Sequence, residues 1–115
     1  MTAEDHYYAG IDFFGEGKLD SAIEQYNRAL ELDPKLIDAL HGLAQAYHAS
    51  QDFHRTIEAA QRILVLEPDD ILAWTTISRA YQRMGMIHEA EEAGNKARVL
   101  GWKQQLREQK AKGGA

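Results

Sequence analysis

The sequence contains no cysteine, which excludes disulfide staples, thiolate nucleophiles and cysteine-ligated zinc, and leaves the redox compartment open. Only two prolines occur in 115 residues, so long helices are permitted along most of the chain. No apolar run approaches the roughly 18–20 residues that a membrane-spanning helix needs. The first residues, Met1-Thr2-Ala3-Glu4-Asp5, are acidic, where a secretory leader is basic and then apolar, so a cytoplasmic location is expected. Glycine-rich phosphate loops are missing, and Ser21, Ser50 and Ser78 stand in no nucleophile motif. Without a convergent set of titratable groups, neither catalysis nor a cofactor is expected.

What is present is a helix-favouring mixture with 44% hydrophobic and 27% charged residues, the composition of one folded domain. The net charge of −5 is unevenly spread. Residues 1–36 carry eight acids against three bases, residues 37–70 six against two, and residues 71–115 four against eight. The chain is therefore acidic at its start and basic at its end.

A fixed 34-residue step runs through the sequence. It relates Pro34 to Pro68, and it relates the sets Phe13/Tyr47/Tyr81, Ala9/Leu43/Ile77, Gly10/Ala44/Ser78, Ala22/Thr56/Ala90, Ala29/Ile63/Ala97 and His6/Leu40/Trp74. So many positions on one period mark a tandem array. Each unit reads as two amphipathic helices. In the second, Leu40, Leu43, Ala44 and Tyr47 form one stripe, and Phe53, Ile57, Ala60, Ile63 and Leu64 form another,. The turns between paired helices fall at Gly15-Glu16-Gly17-Lys18, Ser50-Gln51-Asp52 and Met84-Gly85-Met86.

This pattern resembles the tetratricopeptide repeat family, whose unit carries a large residue, Leu-Gly, Tyr, Ala, an aromatic, Ala and Pro at set positions. The resemblance implies an all-α, right-handed superhelical solenoid of three helix-turn-helix units, about residues 3–36, 37–70 and 71–102. They form one domain over residues 1–112, with a bend near Gly101, a C-terminal capping helix at about residues 103–111 and a disordered tail at 113–115. The third unit departs from the pattern, with Glu91 after Ile23 and Ile57, Gly94 at the aromatic position, and Trp102 in place of proline. A polar face suits a terminal unit that no repeat covers.

The resemblance further implies an adaptor or scaffold whose partner, a protein or peptide, lies in a concave groove lined by the first helix of each unit. The corresponding positions are Glu4, Tyr7, Ile11 and Phe14, then Asp38, His41, Gln45 and His48, then Leu72, Thr75, Arg79 and Gln82, with Arg83 adjacent. Tyr7, Ile11 and Phe14 suit an apolar anchor, and Arg79 and Arg83 suit an acidic group. Family members that hold the C-terminal Glu-Glu-Val-Asp tails of heat-shock chaperones use a two-carboxylate clamp. It comprises Lys and Asn from the first repeat, Asn from the second, and Lys and Arg from the third. The matching positions here hold Tyr7, Ile11, Gly42, Leu72 and Thr76, so that clamp is missing.

Other functions compete less well. His41 and His48 stand seven residues apart on one helix, about 10 Å, too far to share a metal ion. Lys96, Arg98, Lys103, Arg107, Lys110 and Lys112, with Trp102, could meet nucleic acid or an anionic membrane, but the rest of the chain is acidic and repels phosphate. No small-molecule substrate is expected. Self-association into a homo-oligomer is the alternative with most support, because an acidic first end and a basic last end attract head to tail.

Overall fold

A computed structural model describes residues 1–113. Its six helices are α1 (Ala3–Gly15), α2 (Leu19–Leu32), α3 (Ile37–Ala49), α4 (Phe53–Leu66), α5 (Ile71–Arg83) and α6 (Ile87–Gly113). They pair in order as three hairpins, and each hairpin stacks on the next through α2 against α3 and α4 against α5. The odd-numbered helices touch one another, α1 with α3 and α3 with α5. The result is a solenoid 46 × 38 × 24 Å in extent.

Local chemistry sets the helix ends. Thr2 and Asp5 form a reciprocal capping box on α1, which satisfies donors that the first turn would leave unpaired. Asp52 caps α4 and Asp70 caps α5. Within each hairpin the chain reverses at one residue with positive φ: Gly17 (77°), Gln51 (64°) and Gly85 (77°), again 34 residues apart. Glycine adopts this conformation freely, whereas Gln51 incurs a steric cost.

The core follows the repeat. Leu40, Leu43, Ile57, Ile63 and Ile77 are buried beside a series of alanines, and fully removing such a side chain from water contributes about 1.5–3 kcal/mol. The small residues at the Gly10 position allow close approach, but the ring they accommodate comes from the partner helix. Tyr26 of α2 is only 3% exposed. A Cβ on Gly10 would lie 2.6 Å from its ring, and a Cβ on Gly42 likewise 2.6 Å. The ring is thus clamped between α1 and α3. The other hairpins solve the same junction with less volume, placing Ala60 and Gly94 where Tyr26 stands. In the third, a Cβ on Gly94 would meet Ser78 Oγ at 3.2 Å, while that hydroxyl donates to the Ala90 carbonyl at 2.8 Å.

Two sequence expectations change at the C-terminus. The bend near Gly101 is absent, since α6 runs unbroken from Ile87 to Gly113. The capping segment 103–111 is helical as expected, and it continues α6 without a break. No proline interrupts it, and Gly101 has nothing within 4 Å of its Cβ site to force a turn; a glycine alone only weakens a helix. Gly113, expected in a disordered tail, closes this helix, and the remainder of that tail, 114–115, lies outside the described residues.

Candidate functional site

One face of α1, α3 and α5 gathers the residues that the repeat register singles out. Down each helix they fall a turn apart, and across the helices they fall in rows: Glu4/Asp38/Leu72, Tyr7/His41/Thr75, Ile11/Gln45/Arg79 and Phe14/His48/Gln82.

The apolar part lies on α1. Ile11 and Phe14 are 42% and 38% exposed, and Leu72 on α5 is 46% exposed. Tyr7 differs from the expectation of an open anchor. It is half-buried, packed on the core, with its ring 5.4 Å from Tyr8 and 6.1 Å from Tyr26. Burial pushes its phenol pKa up, and the nearby Asp38 charge adds to the shift.

The middle of the face is mostly engaged in internal bonds, although His41 Nδ1 is buried without a hydrogen-bond partner among the described residues. His41 Nε2 meets Asp70 Oδ2 at 3.0 Å, and the other oxygen of that carboxylate accepts from the Ala73 amide at 2.9 Å. One side chain therefore caps α5 and pins a histidine of the preceding repeat. Thr75 turns its hydroxyl back to the Ile71 carbonyl, and Gln45 is half-buried.

The C-terminal ends of α3 and α5 form a basic corner. His48 packs edge-on against Phe53, with ring centroids 5.3 Å apart, and the Arg83 guanidinium lies 5.1 Å from the same ring's centroid. Burial chiefly, then Arg83 and Arg79, hold the His48 pKa below its ordinary 6.5. Its Nε2 is buried without a hydrogen-bond partner among the described residues. Arg79, Gln82 and Arg83 are exposed. Among the described residues, neither arginine has a carboxylate within salt-bridge distance.

Sequence reasoning missed Asp70 and Phe53 as parts of this face. Asp70 follows Pro68 in the inter-repeat loop, and only folding brings it to His41, 29 residues away. Phe53 belongs to an apolar stripe, which reads as core. The described residues contain no group of three or more His, Asp or Glu side chains placed to hold a metal ion, and no helix is long and apolar enough to cross a membrane.

Comparison with known proteins agrees with this architecture. The family model described as "TPR repeat" matches residues 10–51. The chain is 28% identical over 64 residues to the chloroplastic tetratricopeptide repeat domain-containing protein PYG7 of Arabidopsis thaliana, covering 56% of this chain and 21% of that protein. It thus spans about a fifth of that relative's length. The crystal structure of MamA superposes with a TM-score of 0.87 at 28% identity, over 90% of this chain and 61% of that one. The second TPR of Spaghetti (RPAP3), bound to the HSP90 peptide SRMEEVD, superposes with a TM-score of 0.80 at 24% identity, over 87% and 93%. With its 34-residue step, its three stacked helical hairpins and these likenesses, the chain belongs to the tetratricopeptide repeat family.

Proposed function

We propose that this chain is an adaptor that binds a peptide segment of a protein partner on the face of α1, α3 and α5. The ligand places an apolar side chain against Ile11 and Phe14 and an acidic group against Arg79 and Arg83. The observation that carries this reading is the state of the two arginines. They stand one turn apart, exposed and without a carboxylate in salt-bridge range among the described residues, beside an imidazole whose pKa they help to lower. Such a corner gains most from an arriving anion, because paired guanidinium–carboxylate bonds are charge-assisted and directional. Exposed Ile11 and Phe14 supply apolar area whose burial is favourable.

The Spaghetti domain, which shares this fold, is bound to the HSP90 peptide SRMEEVD, and that likeness supports a peptide ligand here. The present chain lacks the matching clamp residues. Gly42 is packed against Tyr26, and Thr76 is only 3% exposed. Its ligand is therefore a different sequence, with a larger apolar share.

Selection of a displayed peptide library on the immobilised protein tests the reading. Phe14→Ala combined with Arg79→Glu serves as the control, since both positions are exposed and the core is left intact. Peptides enriched on the wild type carry an apolar and an acidic side chain and lose binding to the variant. Enrichment of basic peptides, or equal binding to both proteins, would rule it out.

A further inference from the structure

The 34-residue register shows which side of each odd-numbered helix meets the repeat before it. In α3, Ala39 and Ala46 are buried, and a Cβ on Gly42 would press on the Tyr26 ring of α2. The equivalent residues of α5, Ala73, Thr76 and Ala80, are all buried. In α1 the same three positions hold Asp5, Tyr8 and Asp12, and all are exposed, Tyr8 by 60%. No element among the described residues covers them.

At the other end, too, the described residues leave the equivalent positions uncovered. The residues at two positions of α2, Tyr26 and Leu30, are buried, and their counterparts on α4 are Ala60, buried, and Leu64, half-buried. On α6 these positions hold Gly94 and Arg98, and one turn further stands Trp102, 62% exposed. Among the described residues α6 packs on α5 alone.

These two ends complement each other in size and in charge. Between α2 and α3 a large ring on the even-numbered helix sits over a glycine on the odd-numbered one, Tyr26 on Gly42. At the end faces the distribution is reversed, with the glycine, Gly94, on α6 and the large ring, Tyr8, on α1. Consecutive helices of the array run antiparallel, so one turn forward from Gly94 faces one turn back from Tyr8. That pairs Arg98 with Asp5. Glu91 and Asp12 occupy the other edge of the contact and oppose each other. The surrounding fields favour approach, since residues 1–36 carry eight acids against three bases and residues 71–115 four against eight,.

We infer that the chain associates head to tail with a second copy. The α1 end face of one molecule, centred on Tyr8 and Asp5, seats on the α6 face of the next at Gly94, Arg98 and Trp102, and so continues the solenoid across the molecular boundary. The two surfaces of such a contact are different, so each molecule retains one free end and growth does not stop at two.

Sedimentation of the full chain over a range of concentration and salt, with two variants, tests this. Tyr8→Arg spoils the first end and Arg98→Glu the second; Tyr8→Ser and Trp102→Ala replace either one that loses helical circular dichroism. The wild-type mass is expected to rise above 13.0 kDa with concentration and to fall back as added salt screens the ends. Each variant alone stays monomeric. Their mixture forms a two-chain species, because one partner retains an intact first end and the other an intact second end. A wild-type mass constant at 13.0 kDa overturns the proposal. So does association of either variant by itself, which means a symmetric contact, and so does a mixture that remains monomeric.

Discussion

Substituting Gly42 by alanine probes the contact that sets the spacing of the first two repeats, and hence of α1 and α3 on the proposed binding face. An alanine Cβ there would lie 2.6 Å from Tyr26 Cζ, 2.7 Å from Cε1 and 3.1 Å from Cε2. The ring cannot swing aside, since it is 3% exposed and meets Gly10 on its other side. Overpacking of this kind costs about 1–3 kcal/mol, while replacing a helical glycine by alanine returns about 0.5–1 kcal/mol of propensity. The expected net is a loss of about 1 kcal/mol, which for a domain of this size lowers Tm by about 4 °C. In a Tyr26→Ala background the clash is gone, and the same substitution should stabilise by about 0.5–1 kcal/mol. That combination reproduces the small-residue solution already used at Ala44, Ala60 and Thr76. The sign of the effect thus reverses between backgrounds, and urea unfolding of the four proteins in a double-mutant cycle measures it. If Gly42→Ala stabilised the wild type as much as the Tyr26→Ala protein, the clamped-ring account would be wrong.

Two further outcomes follow from the basic corner and the inter-repeat loop. The folded pKa of His48 lies below its ordinary 6.5, so the unfolded chain takes up the proton first. Its neutral form therefore contributes stability that is present above pH 6.5 and is lost as pH falls toward the folded value. Urea midpoints of His48→Gln should lack this acid-side decline, whereas equal pH slopes for variant and wild type would contradict it; Arg83→Gln should raise the His48 pKa in an NMR titration. Asp70→Ala removes both the cap on α5 and the bond to His41, with an expected loss of about 1–3 kcal/mol. Asp70→Asn should recover the capping share, and a thermal melt showing the two variants equally destabilised would count against the dual role.

The legibility of this protein divides along a physical line. Helix number, turn positions and repeat boundaries follow from local rules, because amphipathic period, proline and positive-φ turns act within a few residues. The turns at Gly17, Gln51 and Gly85 fall where the sequence places them, and the register alone groups the residues of the proposed binding face. The unbroken α6 was less legible, since a glycine such as Gly101 weakens a helix without ending it unless packing makes the chain turn.

What the sequence by itself determined is the array: three hairpins on a 34-residue period, acidic at one end and basic at the other. What only the tertiary structure decided is how each side chain is used within it. It folds Tyr7 back onto the core, ties His41 to Asp70 across a repeat boundary, sets His48 edge-on to Phe53 with Arg83 over the same ring, and lodges Tyr26 between two glycines. These outcomes depend on distances between residues far apart in the chain. A periodic pattern specifies which face a residue occupies, while the neighbour it meets there is set by how the repeats pack.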